Sequence, residues 1–98
     1  MAGFVQIIEF RSSKIDEIRA LAEEWDAQRQ GGTAIRGNVC ADRDNPGRFF
    51  NVVEFESYES AMENSNRPET SEFAEKMAAL CDGPPTFYNL DVVETLNT

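Results

Sequence analysis

The hydrophobic pattern of the sequence predicts four strands, and three of them are apolar on both faces. The predicted strands are residues 4–10, 33–42, 49–55 and 86–93. β-Branched and aromatic residues, which are typical of strands, dominate the third stretch, whereas the second is the weaker strand. In the third stretch Phe49, Val53 and Phe55 lie on one alternating face, and Phe50 and Val52 lie on the other. A strand that is apolar on both faces needs cover on both sides of its sheet.

A helix is predicted between the first two strands. Ser12 and Ser13 are candidate N-caps. Apolar residues then recur at helical spacing: Ile15, Ile18, Leu21, Ala22 and Trp25. The pair Gly31 and Gly32 should end this helix, because glycine readily adopts positive φ. Residues 43–47 are rich in turn formers and should join the second and third strands as an antiparallel hairpin. Gly37, inside the second strand, could mark a β-bulge.

A second helical region, interrupted by a proline, separates the last two strands. Ser57 is a candidate N-cap for a helix that runs to about Asn64. Pro68 has no backbone N–H and disfavours the helical conformation of the residue before it. We therefore predict a break at residues 65–67 and a further helix from Pro68 to about Cys81.

The resulting order, β-α-β-β-α-β, predicts one α+β domain over residues 1–98 with a ferredoxin-like fold. In this fold a four-stranded antiparallel sheet carries both helical regions on one face, because the crossovers are right-handed. The other face would be a large exposed apolar patch, which monomers rarely show. The sequence therefore predicts a homodimer in which a twofold partner covers that face.

Charge and composition exclude several classes of function. The net charge of −9 argues against nucleic acid and anionic membranes as partners. No run of 18 apolar residues suggests a membrane span, and no signal-peptide pattern is visible, so we expect a cytoplasmic protein. The absence of histidine excludes histidine-ligated zinc or haem and histidine-dependent nucleophilic catalysis. Cys40 and Cys81 lack metal-binding spacing and are predicted to be small buried hydrophobes.

The stretch Val52–Phe73 resembles the antibiotic-biosynthesis-monooxygenase-like proteins of the dimeric α/β-barrel superfamily. The similarity is carried by a strand that ends in Glu, an Ala-apolar pair, and a later Pro and Phe: Glu54, Ala61, Met62, Pro68 and Phe73. Element order and length agree with the family over nearly the whole chain. The resemblance implies a dimeric α/β barrel whose relatives include cofactor-free monooxygenases that oxidise polycyclic phenols, haem-degrading enzymes and proteins with no assigned reaction.

The chain departs from the family pattern at two places. Glu56 stands where the pattern often has Trp, and Ser65 stands where it often has His. Because the haem-degrading branch uses a helix histidine to ligate iron, the resemblance does not imply haem degradation here. The quinone-forming branch uses Asn, Trp and Arg around its substrate, and neither a cofactor nor a metal is implied.

A cavity between the sheet and the helices is the place where a site is expected. Asn51 and Tyr58 are the candidate catalytic residues, since either could hydrogen-bond a substrate oxygen. The candidate ligand-binding residues are Trp25, Asn38, Asn64 and Arg67. Five of these six have a structural alternative: strand contacts for the two strand asparagines, helix-start packing for Tyr58, core packing for Trp25 and capping for Asn64.

Two strand carboxylates are further candidates, because a buried carboxylate has a raised pKa and can act as a base. Glu9 and Glu54 lie within apolar strands, and pairing with Arg36 or Arg48 is the alternative. Three functions remain open on the sequence alone. The protein could be a cofactor-independent monooxygenase acting on an aromatic or polyketide-like molecule, a non-catalytic module that binds a hydrophobic molecule, or a structural domain whose cavity is filled by Trp25, Phe73 and Tyr88.

Overall fold

A computed structural model of the chain describes residues 3–28 and 33–96, with only the backbone described at 26–28. The strands and helices of these residues follow the predicted order: β1 (Phe4–Arg11), α1 (Ile15–Gln28), β2 (Ala34–Ala41), β3 (Arg48–Phe55), α2 (Tyr58–Ser65), α3 (Pro68–Ala79) and β4 (Thr86–Asp91). The ferredoxin-like α+β fold is confirmed. The predicted helix end at Gly31 and Gly32 lies outside the described residues.

The strands form one antiparallel sheet in the order β2-β3-β1-β4. The central strands β1 and β3 pair along their whole length, from Phe4 opposite Phe55 to Arg11 opposite Arg48. β2 pairs with the outer side of β3, and its register shifts between Ala34 and Arg36. The irregularity therefore lies just before Gly37, the position at which the sequence suggested a bulge.

The helices cover one face of the sheet, which we call the helix-covered face, and the other is the open face. Two buried clusters stabilise the helix-covered face at its two ends. One contains Phe4, Phe55 and Ala61 of α2. The other contains Phe10, Phe49 and Ile18 of α1, with Met77 and Leu80 packed beside it. Between these two clusters, the middle of the helix-covered face contains no such buried cluster among the described residues.

Local contacts differ from the prediction at the start of α1. Ser12 does not cap the helix; its buried hydroxyl accepts from the Lys14 N–H (2.9 Å) and donates to the Leu80 carbonyl. The helix begins at Ile15, and the Lys14 carbonyl accepts from the Ile18 N–H. Ser57, in contrast, caps α2 as predicted, because its hydroxyl accepts from the Ser60 N–H at 3.1 Å.

The hairpin between β2 and β3 forms at residues 43–47 as predicted. The Arg48 N–H donates to the Asn45 carbonyl at 3.1 Å, and Gly47 adopts a φ of 90°. Pro68 occupies the first turn of α3 as predicted. The prediction that both cysteines are buried was wrong: Cys40 is exposed on the open face and Cys81 is half-buried. Among the described residues, no helix combines the length and the apolar character that crossing a bilayer requires.

Candidate functional site

A cavity of about 270 Å³ lies on the helix-covered face, above β2 and β3 and between α1 and α3. Small residues from α1 and β2 create the space, because their side chains do not reach the middle of the layer: Ala22, Ala34 and Gly37. Val39 and Val53 complete the apolar part of the wall. This is the gap between the two buried clusters, and it is a concave apolar space of the kind that binds small molecules.

Two aromatic rings form the helix side of the cavity. Trp25 of α1 and Phe73 of α3 stack with 5.0 Å between ring centroids and 27° between planes. Such offset stacking is a favourable arrangement and holds α1 against α3. Both residues line the cavity, so its helix side is aromatic, which suits an aromatic ligand.

Asn51 supplies the polar group of the cavity wall. It lies in the middle of β3 on the helix-covered face, opposite Ile8 of β1 and Val39 of β2. Within the described part of the chain its side-chain amide makes no hydrogen bond. An amide offers two donors and an acceptor, so a ligand oxygen in the cavity could pair with a group that the protein leaves unpaired.

The structure brings two of the six predicted site residues together, Trp25 and Asn51. Asn38 lies opposite Val52 on the open face, away from the cavity. Tyr58 is 50% exposed at the start of α2, where its ring meets that of Phe4 edge-on at 5.5 Å.

The other two candidates lie at the break between α2 and α3. The Asn64 carbonyl accepts from the Arg67 N–H at 3.3 Å, which helps to end α2. The Arg67 guanidinium pairs with Glu69 at 2.9 Å. Neither residue belongs to the cavity wall.

The two strand carboxylates pair with arginines on the open face instead of facing the cavity. Glu9 accepts from Arg48 Nε at 2.9 Å and from the Tyr88 hydroxyl at 3.0 Å. Arg48 also donates to Asp42 at 3.1 Å and lies 4.8 Å from the centre of the Phe50 ring. We call Glu9, Asp42, Arg48 and Tyr88 the Arg48 network. The second carboxylate, Glu54, lies 3.5 Å from Arg36.

Hydrogen bonds within the Arg48 network, and from residues beside it, shift the pKa values of its members. The Arg48 hydrogen bond, helped by that of Tyr88, lowers the pKa of Glu9 below its ordinary value. Hydrogen bonds from the Asp44 backbone and the Asn45 side chain lower the pKa of Asp42, with a further contribution from Arg48. The hydrogen bond to Glu9 raises the pKa of Tyr88. Glu9 is thus held as a carboxylate, which is the opposite of a raised-pKa base.

No acidic or basic side chain is among the residues that line the described cavity wall. Within residues 3–28 and 33–96 no three acidic, cysteine or histidine side chains are grouped so that they could hold a metal ion. The sequence did not single out Gly37 as a wall residue. Phe73 was identified there only through the family pattern and as a residue that could fill the cavity.

These features define a structural class: the ferredoxin-like α+β fold, here with an apolar cavity between sheet and helices. No protein-family model and no curated protein matches the sequence. Solved structures do match, and they include an antibiotic biosynthesis monooxygenase at 17% identity and a TM-score of 0.74, covering 93% of this chain and 99% of that one.

Two further matches show how widely this fold is shared. SnoaB, a cofactor-independent oxygenase from Streptomyces nogalater, matches over 100% of both chains at 13% identity and a TM-score of 0.76. A conserved protein from Methanosarcina mazei matches over 93% of both chains at 14% identity and a TM-score of 0.78. The chain thus has the fold of the antibiotic biosynthesis monooxygenase structures, and the resemblance seen in its sequence is confirmed at the level of fold.

Proposed function

We propose that this protein binds a planar aromatic molecule in the cavity and oxidises it with molecular oxygen, without a cofactor. The observation that carries the proposal is the Asn51 amide, which has no hydrogen-bond partner among the described residues and lies in a cavity otherwise lined by apolar side chains. The stacked Trp25 and Phe73 rings favour a flat ligand. Support for the chemistry comes from the shared fold with SnoaB, a cofactor-independent oxygenase, which is support by analogy.

The chemistry fits a phenol with an activated ring methylene, such as a hydroxylated anthrone. Loss of a proton gives a resonance-stabilised carbanion, which passes one electron to oxygen and then forms the new C–O bond. Loss of water converts the methylene to a carbonyl, so one oxygen atom enters the quinone and the other leaves in water. The cavity supplies no base in its described wall, so the proton leaves to solvent. The Asn51 amide would hold the phenol or enolate oxygen as its charge changes.

Oxygen uptake with a hydroxylated anthrone tests this proposal. We expect one quinone formed for each oxygen consumed, above the uncatalysed rate. Asn51→Leu should lower kcat/KM by about 100-fold, the scale of losing one preorganised hydrogen-bond donor. Asn38→Leu is the matched control, because it makes the same change on the open face. No uptake above the uncatalysed rate, or equal losses in the two variants, would contradict the oxygenase.

A binding protein without catalysis is the second candidate, and it is favoured because no acid or base lies among the described residues of the cavity wall. Such a protein would hold the same ligand through Asn51 and the aromatic pair but would leave it unchanged. Fluorescence quenching of Trp25, the single tryptophan of the chain, measures binding directly. Quenching by the anthrone with no oxygen uptake would identify this second function.

We also propose that the open face of the sheet pairs with the open face of a second copy. Support comes from a row across the middle of that face, where Val52, Ile7 and Tyr88 are neighbours on β3, β1 and β4. Tyr88 is 42% exposed in the single chain. A partner sheet would cover this apolar surface.

Light scattering coupled to gel filtration tests the dimer. We expect a mass of twice the 11.0 kDa of one chain. Val52→Lys should shift the protein toward monomer, because it places a charge in the middle of the proposed interface. Ser71→Lys adds the same charge on the exposed side of α3 and should leave the mass unchanged. A wild-type monomer would contradict the proposal.

The cytoplasm remains the proposed location. Cys40 and Cys81 are both free thiols, and Cys40 is exposed. Free exposed thiols persist in a reducing compartment, which supports this location. Cell fractionation of the native protein would decide the question.

A further inference from the structure

The cavity is more exposed on one side than on the others. Gly37 and Val39 of β2 are exposed in the folded chain, and the exposed fraction of Val39 is 42%. The wall residues that β3 and the helices contribute are all half-buried. β2 is also an edge strand, because within the described sheet it pairs only with β3. The cavity therefore opens to solvent along β2, and Val39 lies at its mouth.

The volume of the cavity is small for a site that would enclose a whole ligand. It measures about 270 Å³, whereas sites that enclose a drug-sized molecule typically have roughly 300–1,000 Å³. Asn51, the polar residue of the described wall, is paired with Val39 in the sheet. An aromatic ring bound beside Asn51 therefore lies close to the mouth, and a substituent on that ring has a path over Val39 into solvent.

The chemistry of the mouth favours an uncharged, apolar substituent. Val39 offers only methyl groups, and Gly37 has no side chain. No acidic or basic side chain is among the residues of the described wall, so a charged substituent would be partly desolvated there without a partner. The chain also carries a net charge of −9, which repels anions. An alkyl chain meets neither obstacle.

We propose that Val39 is a specificity-determining residue, and that the ligand is a hydroxylated aromatic molecule whose ring carries an alkyl chain. The ring is held inside the cavity by Asn51 and by the pair of Trp25 and Phe73, and the alkyl chain leaves the cavity over Val39. This inference rests on the ligand-binding function proposed above and adds a substituent to its ligand class. Full burial of a CH₂ group would tighten binding about fourfold. Because one side of the chain faces solvent at the mouth, we expect about twofold for each of the first few CH₂ groups.

Calorimetric titration with naphthol, ethylnaphthol and butylnaphthol tests this proposal, with the alkyl group on the ring that lacks the hydroxyl. Wild type should bind butylnaphthol about tenfold more tightly than naphthol. Val39→Thr replaces one methyl group by a hydroxyl and keeps the β-branched shape. It should reduce this ratio about threefold and change the affinity for naphthol itself by less than about twofold. Val93→Thr is the matched control, because it makes the same change at a residue that is 95% exposed beyond β4. It should preserve the ratio.

Each other result has a definite meaning. If wild type binds naphthol and butylnaphthol equally well, the apolar mouth is overturned and ligand binding remains established. If Val39→Thr keeps the wild-type ratio, the alkyl chain leaves by another route and the role of Val39 is overturned. Tighter binding of a naphthol whose alkyl chain ends in a carboxylate would overturn the apolar substituent. Failure of wild type to bind any of these naphthols would overturn both this inference and the binding function.

Discussion

Replacing Gly37 by valine should fill the cavity and abolish ligand binding while stabilising the fold. Gly37 lies in β2 on the cavity wall. Its φ is not positive, so an L side chain is compatible with its backbone. A Cβ built there would meet the Val52 carbonyl oxygen at 4.0 Å, an ordinary contact distance. The added side chain can therefore enter the cavity without displacing backbone.

The gain in stability has two parts. Removing the conformational freedom of glycine in the unfolded chain contributes about 0.4–1 kcal/mol. Full burial of a valine side chain would contribute about 1.5–3 kcal/mol, and we take roughly a third of this because Gly37 itself is exposed. The sum is about 1–2 kcal/mol, which corresponds to a rise in Tm of roughly 5 to 10 °C for a chain of this length.

Thermal unfolding and tryptophan quenching by the hydroxylated anthrone measure the two effects. Asn38→Val is the matched control, because it adds valine at the next position of β2 on the open face. It should leave the quenching unchanged. If the anthrone quenches the tryptophan fluorescence of Gly37→Val as strongly as that of wild type, the proposed location of the site is refuted. If Gly37→Val has a lower Tm than wild type, the space is not empty in the free protein.

Three further predictions concern the fold itself. Gly3→Ala should lower the Tm by several degrees, since its Cβ would lie 2.4 Å from the Glu56 carbonyl oxygen, and calorimetry would detect this. Ile18→Ala should cost about 2–5 kcal/mol in urea unfolding, because Ile18 is 0% exposed; a loss below 1 kcal/mol would contradict its place in the core. The Arg48 hydrogen bond lowers the pKa of Glu9 in the folded protein. The ionised Glu9 therefore stabilises the fold at a pH above 4.5, the ordinary value for this carboxyl, and this stabilisation is lost as the pH falls below it. In a pH series of Tm values Glu9→Gln should therefore be less stable than wild type near pH 7, and the difference should shrink toward pH 3; a difference that does not vary with pH would contradict the pairing.

The order and type of the strands and helices could be predicted because local sequence patterns determine them. Strands that are apolar on both faces, Ser57 at a helix start and Pro68 inside a helical pattern each have one common structural meaning. The start of α1 was less predictable. A serine before a helix can cap it or bond to a distant group, and Ser12 bonds to the Leu80 carbonyl, 68 residues away. No local pattern encodes that choice.

The register of the strands decides which polar side chains face the cavity. Alternation along β3 places Asn51 with Phe49 and Phe55, so burial of those two phenylalanines carries Asn51 to the helix-covered face. The hairpin then decides which residues of β2 join it, and Val39 pairs with Asn51. Asn38 therefore faces away. One residue more or less in the turn would have exchanged the two faces of β2.

The cavity itself is encoded by side-chain size, which a pattern of polar and apolar positions does not record. At the ends of the helix-covered face, phenylalanines at positions 4, 10, 49 and 55 fill the layer. In its middle Ala22, Ala34 and Gly37 leave it open, although alanine there follows the same apolar pattern as phenylalanine would. Proteins do not generally maximise stability, and unfilled volume often persists where function uses it. The Gly37→Val variant distinguishes a ligand site from a mere packing gap. If valine stabilises the fold and abolishes binding, the space serves a ligand. If valine stabilises the fold and leaves binding unchanged, the space is only a gap between two cores.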